Sequence, residues 1–115
     1  MPSKLKNQKT VVDNIEFDSK RESMRYLKLK AMQEAGEITD LQLQVKFPLL
    51  PKQRTAEGKA IRAVDYVADF VYMKDGEKVV EDSKGFRVTS SASYQVFVLK
   101  KKMMKYFHNI DIMEV

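Results

Sequence analysis

The chain of 115 residues contains no cysteine and a single histidine. The absence of cysteine excludes disulfides, thiolate zinc sites and cysteine nucleophiles. Because His108 is the only histidine, a multi-histidine metal site is excluded, and no second histidine exists to serve a serine triad. No apolar run approaches the ~20 residues of a membrane-spanning helix, and residues 1–6 lack the apolar centre of a signal peptide. We therefore expect a cytoplasmic protein.

The composition is that of one soluble globular domain over residues 1–115, with 43% hydrophobic and 32% charged residues. A net charge of +5 and an isoelectric point near 9.4 favour a polyanionic partner such as nucleic acid. Residues 1–10 carry Lys4, Lys6 and Lys9 with little apolar content. This segment is either a solvated chain end or a flexible basic arm that follows a phosphate backbone.

The periodicity of the sequence predicts an α/β fold with the element order αβββαβ, preceded by a small hairpin. The predicted elements are the hairpin over 11–17, a helix over 19–35, a strand over 41–47, paired strands within 63–86, a helix over 93–107 and a strand over 110–115. Residues 51–60 are polar and basic and are predicted to form an exposed loop. We expect a central mixed sheet flanked by helices, in which the last strand returns by a right-handed parallel crossover.

Three apolar stripes are predicted to be buried. They are Met24, Leu27 and Ala31 on the first helix; Leu41, Leu43, Val45 and Phe47 on the first long strand; and Val96, Leu99 and Met103 with Tyr106 or Phe107 on the second helix. The cations of the first helix are assigned to its solvated faces: Lys20, Arg21, Arg25, Lys28 and Lys30.

Two runs rich in β-branched and aromatic residues within 63–86 flank a segment that contains Asp75-Gly76, which predicts a hairpin, and its paired strands carry the chemistry. Asp69 interrupts an apolar run, and Asp82 and Lys84 lie at the far end of the partner strand. Because side chains alternate along a strand, Asp82 and Lys84 share one face while Glu81 points the other way. A carboxylate among apolar neighbours is costly unless a cation, a metal or hydrogen bonds compensate it. The pattern therefore indicates a carboxylate-and-lysine site.

Two further polar residues have open interpretations. Ser19-x-x-Glu22 is a capping box, which would explain Glu22 structurally, while the alternative is that Glu22 reaches the carboxylates of the paired strands. Gln44 is interpreted as an exposed strand glutamine in preference to a residue of the site.

Asp69, followed by Asp82-x-Lys84 and preceded by a helical Glu22, resembles the pattern of the PD-(D/E)XK nuclease superfamily. The predicted order of elements is similar to that superfamily's restriction-endonuclease-like core. Residues 17–22, 68–72, 80–86 and 99–103 resemble more narrowly a family of small phage-encoded proteins related to Holliday-junction-resolving endonucleases. Ala68 stands where the superfamily's name places a proline.

The resemblance implies a metal-dependent endonuclease whose catalytic residues are Glu22, Asp69, Asp82 and Lys84. Phosphodiester hydrolysis needs a cation that neutralises the phosphate and activates water, and Mg²⁺ takes oxygen ligands. Glu22, Asp69 and Asp82 would hold Mg²⁺, with Mn²⁺ as a substitute, and Lys84 would orient the attacking water. The cations assigned to DNA are Lys100, Lys101 and Lys102 of the second helix and Lys52, Arg54 and Lys59 of the polar loop.

The function expected from this resemblance is cleavage of branched DNA such as Holliday junctions in the host cytoplasm. Two symmetrical incisions in a four-way junction call for a homodimer. Two alternatives stay open: a nickase or flap nuclease on the same fold, and a non-catalytic basic DNA-binding module. In the second case Lys84 would simply form an ion pair with Asp69 or Asp82.

Overall fold

The computed structural model describes residues 9–84 and 90–115, so most of the predicted basic arm over 1–10 lies outside the described residues. The elements in chain order are β1 Thr10–Val12, β2 Ile15–Phe17, α1 Lys20–Glu34, β3 Thr39–Leu50, β4 Gln53–Arg54, β5 Ala60–Ile61, β6 Val64–Lys74, β7 Glu77–Asp82, α2 Ala92–His108 and β8 Met113–Glu114. No helix within the described ranges is long and apolar enough to cross a membrane.

A four-stranded mixed sheet forms the centre of the fold, in the strand order β3-β6-β7-β8. The first three strands pair antiparallel, and β8 pairs parallel to β7. The predicted α/β class with a central mixed sheet and two helices is therefore confirmed. One detail differs: β4 and β5 form a small exposed hairpin where the sequence predicted a loop. Gly58, with φ +89°, provides the left-handed residue of its turn.

The turn between β6 and β7 fixes the register of the two strands that carry the carboxylates. Asp75 and Gly76 have φ values of 52° and 81°, the pair of positive values that a type I′ turn requires. This turn pairs Phe70 with Glu81. The next positions along the two strands are Asp69 and Asp82, which are thereby brought side by side.

The sheet separates two apolar cores, one under each helix. The α1-side core consists of Phe17, Tyr26, Leu29, Ile38, Phe70 and Tyr72. The α2-side core consists of Phe47, Leu49, Tyr66, Ala68, Val71, Val80, Phe97, Met104 and Ile112. Helices on opposite faces of one sheet bury both of its surfaces, the arrangement expected of an α/β layer structure.

The limits of both helices agree closely with the sequence prediction, but their buried faces do not. Met24 and Leu27 are 58% and 48% exposed, and Ala31 is exposed as well, so the predicted stripe on α1 is wrong. The buried residues of α1 are Glu22, Ser23, Tyr26 and Leu29. Because two of these four are polar, the inward face does not appear as an apolar stripe in the sequence.

The predicted stripe on α2 is also displaced from the buried face. Phe97 and Met104 are buried, whereas Val96 and Leu99 are 50% and 57% exposed. Met103 packs partly against the α2-side core, and Tyr106 and Phe107 are exposed. The inward face of α2 is thus rotated by one residue, and an apolar stripe is left on its outer surface.

The apolar residues of β3 do not share one face, contrary to the prediction. Leu41 and Leu43 pack against the α1-side core, whereas Val45 and Phe47 belong to the α2-side core. The change of face occurs at Gln44, which has a left-handed φ of 54° and so interrupts the alternation of side chains. The strand also continues beyond the predicted end, through Pro48 to Leu50, as an edge strand permits.

Candidate active site

Two carboxyl groups lie side by side where the end of β7 adjoins the middle of β6. Asp82 is buried, and Asp69 is partly buried. Asp69 Oδ2 accepts a hydrogen bond of 2.9 Å from the backbone N–H of Ser83, and Asp82 Oδ2 accepts one of 2.8 Å from the Tyr66 hydroxyl. The register of β6 and β7 places the two residues opposite each other. Burial raises the pKa of both groups. For Asp82, the interaction with the neighbouring Asp69 adds to the effect of burial, and its pKa rises to about 7.

Lys84 lies on the same face of the strand end as Asp82, as the alternation of side chains predicted. Its Nζ atom is 3.4 Å from Asp82 Oδ2 and 3.9 Å from the centroid of the Phe97 ring. An ammonium group over an aromatic face gains a cation–π attraction in addition to the ion pair. The amine is therefore held in place beside the carboxyl pair by two partners from different elements.

Glu22 joins the site through Gln44. Gln44 Nε2 donates to Glu22 Oε2 at 3.2 Å and to Asp69 Oδ1 at 3.4 Å. Gln44 also lies opposite Asp69, between the pairs Leu43–Phe70 and Val45–Ala68. Gln44 is an exposed residue of β3, as predicted, and its amide in addition bridges two of the predicted site residues, a contact that the sequence did not indicate.

The structure combines the two interpretations of Glu22. Ser19 caps α1 by accepting a hydrogen bond of 3.0 Å from the backbone N–H of Glu22. The Glu22 side chain is buried and turns toward Gln44 and Asp69, and burial is the largest cause that raises its pKa. The cap thus fixes the start of the helix, and the side chain remains available to the site.

The donor chemistry of the cluster suits a hard cation, although the described part of the chain contains no ready group of three or more metal-ligating side chains. Asp69 and Asp82 are adjacent oxygen donors, and Glu22 is connected to them through the Gln44 amide. Mg²⁺ keeps several waters and is commonly held by one or two carboxylates. The carboxyl pair therefore meets the minimum requirement, with Glu22 as a further donor nearby.

Another buried carboxylate, that of Glu81, lies directly beside the site and has a different environment. Glu81 points to the α1 side of β7, as predicted, and accepts hydrogen bonds of 2.8 and 2.6 Å from Arg25 Nε and Nη2. The Tyr72 hydroxyl also donates to it. Sequence reasoning missed Arg25, Tyr66 and Tyr72 because nothing in their spacing shows that they meet these carboxylates.

The cations assigned to DNA lie in different surroundings. Lys100 lines one groove together with Asp69, Asp82 and Lys84. Lys101 forms an ion pair of 2.7 Å with Glu114, and Lys102 is exposed. In the β4–β5 hairpin, Lys52 and Arg54 line a separate groove, Arg54 donates to the Gly58 carbonyl, and Lys59 is exposed. The structure therefore brings Lys100 to the carboxyl pair and leaves the hairpin cations apart from it.

The fold and this cluster define a small α/β domain with a carboxylate-and-lysine site where β7 ends beside the middle of β6. The family described as "Protein of unknown function (DUF1064)" matches residues 2–113, and the chain belongs to that family. Comparison with curated proteins gives no match, and comparison with solved structures gives none either. The family covers both the fold and the site, and its description assigns them no activity.

Proposed function

We propose that this protein is a metal-dependent endodeoxyribonuclease that hydrolyses phosphodiesters in branched DNA. The observation that carries the proposal is the pair formed by the partly buried Asp69 and the buried Asp82, with the Lys84 amine 3.4 Å from Asp82 Oδ2. Two carboxyl groups buried together destabilise a fold, because each disfavours ionisation of the other. The resemblance of these residues and of Glu22 to the PD-(D/E)XK superfamily supports the same function.

The side chains have separate roles in this proposal. Asp69 and Asp82 would hold Mg²⁺ or Mn²⁺. Glu22, which the Gln44 amide connects to Asp69, would be a further ligand. When bound, the cation supplies charge neutralisation at the phosphate and lowers the pKa of an attacking water. Lys84, fixed against Phe97, orients that water and stabilises negative charge on the phosphate. Lys100 lines the same groove and binds a flanking phosphate.

A homodimer is part of the proposal, because two symmetrical incisions need two copies of the site. The exposed stripe on α2 supports self-association. Val96, Leu99, Tyr106 and Phe107 are all exposed; Val96 and Leu99 are three residues apart, and Tyr106 and Phe107 follow two turns later on the same side of the helix. Apolar residues at this spacing pair helices with one another, and a two-fold axis would bring the stripe against its own copy.

The test of the endonuclease is cleavage of a labelled four-way junction beside the matching linear duplex and a flap substrate. Wild type and Asp82→Asn are compared with Mg²⁺, with Mn²⁺ and with EDTA. Paired, metal-dependent cuts in the junction, absent in the variant, are expected. Cutting of every substrate would retain the nuclease and refute the preference for junctions, whereas a flap preference would favour the flap nuclease. Intact DNA under all metals and salt concentrations would refute the activity.

One observation favours the non-catalytic alternative. Tyr66 and Lys84 already contact Asp82, so protein groups partly compensate this carboxyl group. A basic DNA-binding module on this fold would bind DNA in a salt-sensitive manner that is indifferent to metal. In that case Asp82→Ala would mainly destabilise the protein, whereas the enzyme would lose cleavage and retain DNA binding.

A further inference from the structure

A basic groove lies along the outer face of α1, separate from the groove that contains Lys84 and Lys100. It has a volume of about 640 Å³ and is lined by Lys20, Arg21, Met24, Arg25, Lys28, Ser83 and Val115. We call it the α1 groove. Four of its seven lining residues are cations, and no acidic side chain lines it among the described residues.

Three of these cations have no ionic partner among the described residues. Lys20, Arg21 and Lys28 form no ion pair with any residue in the described ranges, whereas Arg25 is held by both oxygens of Glu81. Arg21 and Arg25 are four residues apart and Arg25 and Lys28 are three apart, and like charges at these spacings on a helix repel one another, so this arrangement does not stabilise α1. Met24 is 58% exposed in the middle of the cations. A charged face with a central apolar residue is suited to a ligand that has both phosphates and apolar rings.

The α1 groove meets the candidate active site at Ser83. This residue lines the groove, and its backbone N–H donates to Asp69 Oδ2 at 2.9 Å. Lys84 and Lys100 flank the carboxyl pair from the α2 side, whereas α1 lies on the other face of the sheet. Cations therefore lie on both sides of the strand end that carries the carboxyl groups.

We propose that the α1 groove binds a second segment of the nucleic-acid backbone, which leads away from the cleavage site along α1. Lys20 and Lys28 are eight residues apart, about 12 Å at 1.5 Å per residue. This length corresponds to about three or four phosphates of one strand at a rise of 3.4 Å each. The inference rests on the proposed function, since it assigns a second arm of the branched substrate to this groove.

The test separates binding from cleavage by using the Asp82→Asn protein throughout. Arg21→Gln with Lys28→Gln is compared with Lys46→Gln and Lys74→Gln, which remove the same charge from exposed positions that line neither groove. Affinity for a four-way junction and for a linear duplex is measured by fluorescence anisotropy at several KCl concentrations. Thermal melts confirm that both double variants are folded.

We expect the Arg21 and Lys28 variant to bind the junction on the order of ten-fold more weakly at ~0.1 M salt. The slope of log affinity against log salt should fall by about 2, because each lost phosphate contact removes about 0.9. The effect on the linear duplex should be smaller. Equal affinities and slopes for the two double variants would overturn the proposal.

The remaining outcomes distinguish other occupants and a failure of the proposed activity. If the Arg21 and Lys28 variant lost binding to anionic phospholipid vesicles while its junction binding were unchanged, the proposal would be overturned in favour of a membrane surface. If the Arg21 and Lys28 variant lost binding to an acidic peptide that the Lys46 and Lys74 variant still binds, and junction binding were unchanged, the proposal would be overturned in favour of a protein partner. If wild type cleaves no DNA, the proposed enzymatic activity is refuted but the proposed binding groove is not, because the binding comparison does not require cleavage.

Discussion

Asp82→Asn should stabilise the protein at neutral pH in the absence of divalent cations. Asp82 binds its proton more tightly in the folded protein than in the unfolded chain, since its pKa rises from 3.8 to about 7. The contribution of this group to the free energy of unfolding is fully present below about pH 4 and is lost as the pH rises to about 7. Above about pH 7 the folded protein carries the free-energy cost of the ionised Asp82 carboxylate. Asparagine is uncharged at every pH, so the variant does not carry this cost.

The magnitude follows from the pKa and from the bonds that are lost. A tenfold change in proton affinity corresponds to about 1.4 kcal/mol, so a rise from 3.8 to about 7 corresponds to about 4 kcal/mol. Asparagine forfeits the ion pair with Lys84 and weakens the bond from Tyr66, which offsets about 1–3 kcal/mol. We expect a net gain of about 1–3 kcal/mol at about pH 8, or roughly 4–12 °C in melting temperature.

The assay is thermal and urea unfolding of both proteins with EDTA between about pH 4 and pH 8. Toward about pH 4, where the Asp82 carboxyl is protonated in both states, the gain should turn into a deficit of about 1–3 kcal/mol, because wild type no longer carries the ~4 kcal/mol cost of the charge. Asp111→Asn is the matched control, because this exposed aspartate forms a surface ion pair with Lys105 and its loss should change stability by less than about 1 kcal/mol. A variant that is less stable than wild type at about pH 8 would refute the reasoning and indicate a structural carboxylate.

Three further changes test other parts of the structure. Arg25→Met should cost about 3–5 kcal/mol in urea unfolding because it strands the buried Glu81 charge, and adding Glu81→Gln should recover part of that loss. If α2 joins two copies, Leu99→Glu should lower the mass measured by light scattering to that of a monomer. Lys102→Glu on the same helix should leave the mass unchanged. Equal masses for the two variants would contradict the dimer contact. Gly76→Ala should lower stability by about 1 kcal/mol, because its φ of 81° in the β6–β7 turn disfavours a side chain; an unchanged melting temperature would contradict this.

The parts of the site that the sequence predicted are those that depend on strand alternation and turn chemistry. The Asp75-Gly76 turn sets the register of β6 and β7, and the period of two then places Asp82 and Lys84 on one face and Glu81 on the other. Both rules are local, so a single sequence contains the information they need. The order of the main elements follows from similar local signals.

The helix faces and Gln44 could not be predicted because their causes are not local. Glu22 and Ser23 face the sheet as polar residues, so an apolar count assigns the wrong face to α1. At Gln44 a left-handed backbone reverses the alternation of β3, and a pattern of polar and apolar residues carries no record of φ. Such a backbone costs free energy in a non-glycine residue and is enriched at functional sites. Gln44 contacts two site carboxylates, in agreement with that tendency.

The contrast between Glu81 and Asp82 is the strongest argument that the cluster exists for a ligand. Both are buried and adjacent on β7. Glu81 has a paired guanidinium on both oxygens and a tyrosine hydroxyl, which is the compensation that a buried carboxylate requires. Asp82 instead faces a second carboxyl group, and its nearest cation is 3.4 Å away. The same strand can therefore hold a fully compensated carboxylate, whereas the pair at Asp69 and Asp82 shares one lysine amine and is only partly compensated. This difference supports the proposal that a cation supplies the missing charge there.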